Sequence, residues 1–295
     1  MNEEKLNILM AVNQKYVPQM KTLICSIGVN CKQAVDIYLM HSELPESIID
    51  KLSQFVAKWC KGNLIAIKLD KAFLKNAKLG NHFSVEMYYR IFASEYLPQN
   101  LKRILWLDAD IVVLKNIETF YKCNMNGKSI VACKHREKDL DNPLINQEAI
   151  KRIGVDDDFI YFNSGVLLMD LQKIRNYFNH DKVCNLIAEY NEKLIYPDQD
   201  ILNLIYQNDV FFADETIYNF QVHFDWSFRD EENHIENNVV ILHFAGPVKP
   251  WKYNTKHFSY QYYWKYYLLH GKKSVYLKYL IMQKIYEVYR IMKKY

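Results

Sequence analysis

Several common functional signatures are missing from this chain. It has no Gly-x-Gly-x-x-Gly run and no P-loop, so neither Rossmann-type dinucleotide binding nor P-loop phosphate binding is supported. No apolar run approaches the ~20 residues that cross a bilayer. None of the six cysteines (Cys25, Cys31, Cys60, Cys123, Cys133, Cys184) forms a Cys-x-x-Cys pair, and no Cys/His cluster has zinc spacing. They read as reduced thiols, with no catalytic cysteine among them. Internal repeats and low-complexity linkers are absent as well. The start, Met1-Asn-Glu-Glu-Lys5, is acidic and runs straight into a strand-like segment. A secretory signal has a basic start and a longer apolar stretch, so a cytoplasmic location is expected.

What remains is a chain of 295 residues, 50% hydrophobic, enough for one large α/β domain with an appendage. Its net charge of +4 is unevenly placed. Residues 272–295 carry seven basic side chains against Glu287 alone, so the tail is +6 and the rest −2. A basic balance confined to a tail does not indicate a nucleic-acid-binding body.

Asn7–Val12, Val35–Met40 and Asn63–Leu69 read as strands. Tyr16–Val29 and Pro45–Cys60 read as the helices between them, and Ser84–Leu97 as a third helix, stopped by Pro98. The β-α-β-α-β order predicts a mainly parallel, Rossmann-like sheet with helices on both faces, which binds ligands at the carboxyl ends of its strands. Further on, Phe159–Phe162 and Val166–Met169 read as paired apolar segments interrupted by Asn163-Ser164-Gly165. Pro197 opens a helix, and Val239–Leu242 is a short last strand.

The next strand, Arg103-Ile-Leu-Trp-Leu-Asp108-Ala-Asp110-Ile-Val-Val-Leu114, holds two acids inside an apolar run. Residues two apart in a strand share a face, so Asp108 and Asp110 aim at one place. Two like charges side by side in an apolar setting need compensation, and a divalent cation supplies it through hard oxygen ligands. A surface turn is the plainer reading, but Gly, Pro, Asn and Ser are absent from Ile104 to Lys115. An EF-hand loop counted from Asp108 fails too, with Val113 and Thr119 where Gly and Glu belong.

His243 closes the last strand and is followed by Phe-Ala-Gly246-Pro-Val-Lys249-Pro-Trp251-Lys. It reads as a third ligand or as a hydrogen-bonded histidine before a turn. A nitrogen beside two carboxylates tilts the metal from Mg²⁺ towards Mn²⁺. Gly246 would let backbone approach an anion, and Lys249 would supply a point charge to a phosphate. In Tyr196-Pro-Asp198-Gln199-Asp200, one acid reads as a helix cap, and the other, with Gln199, as a partner for sugar hydroxyls. Asn163-Ser164-Gly165 is a tight turn or a set of presented polar groups. Arg90 pairs with Glu86 on its helix or meets an anion or sugar.

In order, these pieces resemble glycosyltransferase family 8. They are Ala11-Val-Asn13-Gln-Lys-Tyr16, Tyr89-Arg90-Ile-Phe, Leu107-Asp-Ala-Asp110, Tyr161 to Asp170, Asp198 to Asn203 and His243 to Lys252. The family comprises retaining transferases, including bacterial lipopolysaccharide α-galactosyl- and α-glucosyltransferases and glycogenin. The resemblance implies a GT-A catalytic domain over 1–252 and a helical, aromatic and basic C-terminal region over 253–295. It implies Mn²⁺, with Mg²⁺ as the alternative, on Asp108, Asp110 and His243. It implies a UDP-glucose or UDP-galactose donor and a glycan or glycolipid acceptor. Ala11, Asn13 and Tyr16 would face the uridine, and Ala109 joins the donor-binding residues. Gly246 and Lys249 would contact the diphosphate, while Arg90, Asn163, Asp198 and Gln199 would surround the sugar. Retention needs a carboxylate nucleophile or same-face attack by the acceptor, and Asp198 is the candidate carboxylate.

The chain departs from the family twice. Asn13 stands where members often carry Asp, and Lys134-His135-Arg136 follows the strand Ser129–Cys133 where many carry an Asp, with Asp139 and Asp141 further on. Asp108-Ala-Asp-Ile-Val112 also satisfies the haloacid-dehalogenase phosphatase pattern, although a hundred residues precede it here. A non-catalytic sugar-nucleotide-binding protein is the third alternative.

In the tail, Leu277, Ile281, Ile285, Val288 and Met292 form one helical stripe, with Gln283, Glu287, Arg290 and Lys294 opposite. The aromatic cluster Tyr260, Tyr262, Tyr263, Trp264, Tyr266 and Tyr267 precedes it. Basic charge, interfacial aromatics and an apolar stripe suit a helix lying on the inner face of an anionic membrane. The plainer reading is a terminal helix packed on the domain.

Overall fold

The computed structural model describes residues 5–70, 85–135, 150–155, 159–222 and 230–293. Arg136, Asp139, Asp141, Ser84 and Lys294 lie outside them. Ten strands are described: β1 Leu6–Ala11, β2 Val35–His41, β3 Leu64–Lys68, β4 Arg103–Leu107, β5 Ile111–Val113, β6 Ile130–Lys134, β7 Phe162–Asp170, β8 Val210–Ala213, β9 Phe220–Gln221 and β10 Ile241–His243. The helices that matter here are α1 Val17–Asn30, α2 Glu46–Cys60, α3 His180–Tyr190, α4 Pro197–Tyr206, α5 Tyr260–His270 and α6 Lys273–Met292.

Seven strands form one sheet in the order β3-β2-β1-β4-β7-β6-β8. Pairing is parallel from β3 through β4 and again between β6 and β8; β7 runs antiparallel to both neighbours. Alternate side chains of β1 enter opposite cores. Leu6, Ile8 and Met10 pack with Met20, Leu23 and Ile27 of α1 and Leu52 and Val56 of α2. Leu9 joins Trp106, Leu167, Val183 of α3 and Ile201 and Leu202 of α4 on the other face. Helices thus cover both faces of the sheet, as the strand–helix order predicts.

A second, three-stranded sheet, β5-β10-β9, lies beside the first. The predicted single strand from Arg103 to Leu114 therefore divides: β4 belongs to the large sheet and β5 to the small one. Two more expectations are corrected. Ser84–Leu97 is not one helix; a 3₁₀ turn, Val85–Arg90, precedes a short α-turn, Ala93–Tyr96. Asn163-Ser164-Gly165 does not interrupt two segments but lies within the nine-residue β7. There the register against β6 jumps, pairing Ala132 with Leu167 but Cys133 with Asn163. This bulge frees Ser164, Gly165 and Val166 from β6 pairing, next to Asn163.

The aromatic cluster is core, contrary to its expected interfacial role. Tyr260, Tyr263, Trp264, Tyr266 and Tyr267 are buried against Val112, Phe220, Leu242 and Phe244 of the small sheet. Asn30 of α1 donates to the Tyr266 hydroxyl at 2.8 Å. α6 then packs through Tyr276, Tyr279 and Leu280, with the Tyr279 ring 4.6 Å from Trp264.

Candidate active site

The two acids sit where the chain changes sheets. β4 ends at Leu107, residues 108–110 turn, and β5 begins at Ile111. Strand alternation is therefore not what brings the carboxylates together. The turn is pinned from both sides instead: Asp108 N–H donates to the Gly165 carbonyl at 2.9 Å, and Phe244 N–H donates to the Asp110 carbonyl at 3.0 Å. A turn held by two flanking strands does not need the residues that make an isolated turn stable, which explains their absence here.

His243 ends β10 opposite Ile111 of β5. Its Nε2 lies 3.3 Å from Asp110 Oδ1, and ligand atoms of Asp108, Asp110 and His243 all fall within 4.8 Å of one another. The ring is oriented by Asn219, whose Oδ1 is 2.8 Å from Nδ1. Asn219 Nδ2 donates to Asn163 Oδ1 at 2.9 Å, which fixes the amide's direction. Nδ1 therefore carries a proton, and Nε2 is the nitrogen turned to the acids.

Gly165 makes the room: a Cβ there would lie 2.3 Å from His243 Cε1 and 3.0 Å from Asp108 Oδ2. Two carboxylates and an oriented imidazole around a cradle that a methyl group would fill are a donor set suited to Mn²⁺ or Mg²⁺, with the nitrogen favouring Mn²⁺.

Arg90 turns away from helix-surface pairing. It is buried, with Nη2 3.0 Å from Asp108 Oδ1 and Nε 3.1 Å from Asp198 Oδ2. Nη1 donates to the carbonyl and hydroxyl of Ser164. The guanidinium stacks 4.4 Å over Trp106, whose indole N–H donates to Asp108 Oδ1 at 2.8 Å. Glu86 accepts from Ser42 instead.

The two acids of α4 separate cleanly. Asp200 is structural: it accepts from the backbone N–H groups of Ile195 and Tyr196, from Tyr161 and from Arg152. Asp198 faces Arg90 and the Ser164 hydroxyl. Burial raises the Asp198 carboxyl to about 6, although the Arg90 charge pulls the other way.

Gln199 Oε1 accepts from Asn163 Nδ2 at 3.1 Å and from Ser164 N–H at 3.0 Å. His135 joins this group, with Nδ1 3.4 Å from Asn163 Nδ2. Burial, then the nearby His243, lowers the His135 imidazole to about 4, so it is neutral near pH 7. Lys249 is buried, with Nζ bonded to Asp110 Oδ2 and to the Phe244 carbonyl.

Gly246 has φ +80°, and a Cβ there would meet nothing within 4 Å. The positive φ requires glycine at this turn. At the other edge, Ala11 ends β1 and Asn13 caps a 3₁₀ turn, with Oδ1 accepting from Lys15 N–H. Tyr16 is exposed and meets Trp251 edge-on at 6.3 Å. Ala109 is half-buried in the acid turn. One network therefore joins Arg90, Asp108, Asp110, Asn163, Asp198, Gln199, His243 and Lys249. Ala11, Asn13 and Tyr16 share the carboxyl end of β1, and Tyr16 reaches the Pro250–Trp251 stretch.

Sequence reasoning missed Asn219 and Trp106 as partners of the site. For Trp106 a signal existed, since it stands two residues before Asp108. Asn219 lies in an unremarkable segment and had none.

The family model described as Glycosyl transferase family 8 matches residues 7–255. Among curated relatives, Glycosyltransferase GlyF of Streptococcus pneumoniae serotype 4 is 27% identical over 253 residues, covering 83% of this chain. The chain spans only 57% of that relative's length. Lipopolysaccharide 1,2-glucosyltransferase of Escherichia coli K12 is 26% identical, over 88% of this chain and 77% of its own. The galactosyltransferase LgtC, solved in complex with donor and acceptor sugar analogs, superposes with a TM-score of 0.74 at 20% identity, covering 89% of this chain and 95% of LgtC. That likeness shows a shared GT-A-like fold.

Proposed function

This chain belongs to glycosyltransferase family 8, and we propose that it moves glucose or galactose from a UDP-sugar to a glycan or glycolipid acceptor with retention of configuration. The observation that carries this reading is the convergence of Asp108, Asp110 and His243 on one point, with Lys249 and the Arg90–Asp198 pair beside it. The family assignment displaces the haloacid-dehalogenase phosphatase alternative.

Asp108, Asp110 and His243 hold the divalent cation, which when bound lends Lewis-acid charge to the departing diphosphate. Lys249 adds a fixed positive charge to the same leaving group. Asn163, Ser164 and Gln199 offer amide and hydroxyl groups to sugar hydroxyls. Arg90 holds Asp198 in place. In double displacement the Asp198 carboxylate attacks the anomeric carbon as the bond to UDP breaks, and the acceptor hydroxyl then displaces it. In same-face attack Asp198 stabilises the positive charge developing on the sugar.

The test is a screen of UDP-hexoses for hydrolysis with Mn²⁺ and no acceptor, run beside a phosphomonoester. UDP release from UDP-glucose or UDP-galactose, with the phosphomonoester intact, supports the reading. Tight UDP-sugar binding without turnover makes the protein a binder, and phosphomonoester cleavage contradicts the proposal.

We further propose that it works at the inner, cytoplasmic face of a membrane, resting there through α6. No helix among the described residues is long and apolar enough to cross a membrane. The supporting observation is that α6 docks through Tyr276, Tyr279 and Leu280 and leaves its aliphatic stripe in solvent. Gln283 donates to the Thr255 carbonyl and the Tyr279 hydroxyl, and Glu287 pairs with Lys256. Leu277, Ile281, Ile285, Val288 and Met292 are left 55–72% exposed. Lys278 and Lys284 are exposed beside that stripe. Each basic residue adds on the order of 1 kcal/mol near an anionic surface. The full chain is expected to sediment with phosphatidylserine vesicles at low salt, and a variant with Ile281→Glu and Ile285→Glu is not. No sedimentation of the full chain, or self-association through this stripe, overturns the membrane reading.

A further inference from the structure

Asp108 and Asp110 are compensated differently. On Asp108, Arg90 and Trp106 both engage Oδ1, while Oδ2 borders the Gly165 cradle beside His243. On Asp110, Lys249 takes Oδ2 and His243 lies against Oδ1, so both oxygens face a base or a cation. Lys249 has little freedom of its own. It is 8% exposed and tied by a second bond, 2.7 Å, to the Phe244 carbonyl. An ammonium seated on a metal-ligating carboxylate repels a divalent ion at that carboxylate, and strongly so where water is scarce.

We propose that Lys249 competes with the metal ion for Asp110, and that it leaves this carboxylate for the diphosphate when metal and nucleotide arrive together. The inference rests on the metal–nucleotide reading of the site. It gives Lys249 two alternating partners of like charge, the acid and the phosphate. Metal binding and nucleotide binding become mutually reinforcing, because the diphosphate gives the displaced ammonium a new anion and the metal ion gives Asp110 a new cation.

The experiment is Mn²⁺ binding to the intact protein, followed by the electron paramagnetic resonance of free Mn²⁺, with and without UDP. The variants are Lys249→Met, which keeps length and removes charge, and Lys249→Arg, which keeps charge. Without UDP, Lys249→Met is expected to bind Mn²⁺ about tenfold more tightly than wild type, or better. Lys249→Arg is expected to stay near wild type. With saturating Mn²⁺, Lys249→Met is expected to bind UDP more weakly, so the two effects of one substitution have opposite sign. Unchanged or weaker Mn²⁺ binding by Lys249→Met without UDP overturns the inference while leaving the metal site intact. No Mn²⁺ binding by any form, even with UDP, overturns both and is told apart by that pattern. Thermal unfolding of each variant at saturating Mn²⁺ reports whether it is folded.

Discussion

Two regions of this molecule break the apolar-inside rule in opposite directions. At the candidate active site, Arg90, Asp198, Asp200, His243 and Lys249 are buried. On α6, large aliphatic side chains stand in solvent while Tyr276, Tyr279, Leu280 and Gln283 face the domain. Both arrangements cost free energy if nothing else is considered. The site lessens its cost internally, through ion pairs and oriented amides; the tail has no internal compensation for its stripe. The difference separates two kinds of ligand. A small charged ligand needs a prepared, mostly satisfied cradle, whereas a surface needs only an exposed stripe and nearby charge.

The sharpest way to break the site half of this comparison is Gly165→Ala. The added carbon would collide with His243 and crowd Asp108, so turnover is expected to fall on the order of 100-fold or more with the metal geometry disturbed. Steady-state rates beside a circular dichroism spectrum check this. Normal activity in the alanine variant would show that the cradle is not the reaction centre.

Asn219→Ala is expected to cost about 10–100-fold in metal affinity, because the His243 ring loses its orienting partner. Isothermal titration with Mn²⁺ measures it, and unchanged affinity would remove Asn219 from the site.

The third prediction concerns pH. The Asp198 carboxyl is raised to about 6, so its carboxylate is lost as pH falls through that value. If the carboxylate is the working form, kcat/KM rises with pH through about 6 and levels above it. Asp198→Asn should be nearly inactive, with no such limb. The stability sign is opposite. A carboxyl raised from 3.8 to about 6 by folding binds its proton more tightly when folded, so this group's contribution grows as pH drops from about 6 to 3.8. A kcat/KM profile that is flat between pH 5 and 7 contradicts the assignment.

The smallest expected effect sharpens the tail half. Tyr279→Ala removes a buried ring packed against Trp264 and should cost about 3 kcal/mol. Ile281→Ser, two residues on and on the opposite, exposed face, should change stability by no more than about 0.5 kcal/mol. Denaturant unfolding of both variants decides it, and equal costs would mean that the stripe is packed in solution.

Much of the fold was legible because its periodicities are local. β1, α1, β2, α2 and β3 fall within a residue or two of their expected bounds, since apolar spacing sets both element type and buried face. The site residues were legible as chemistry, and their contacts were not. Asp108 and Asp110 converge through a turn between two sheets, which no pattern in a single segment reveals. Asn163-Ser164-Gly165 depends on a register jump against β6, a property of two strands together. The tyrosine-rich run of α5 has the composition of an interface, yet it is buried because the small sheet and α1 cover it. The α6 stripe was read correctly as a stripe; which face docks was settled by Tyr276, Tyr279 and Gln283.

The role proposed for the Asp108–Asp110–His243 cluster is a metal site serving UDP-sugar turnover. Its most direct test is UDP release from UDP-glucose and UDP-galactose by wild type and Asp110→Asn, each with Mn²⁺ and with a chelator. Wild type is expected to turn over at least one donor with Mn²⁺, to lose that activity in chelator and to regain it when Mn²⁺ is restored, while Asp110→Asn stays near background throughout. Full activity of Asp110→Asn, or of the wild type in chelator, would contradict the claim.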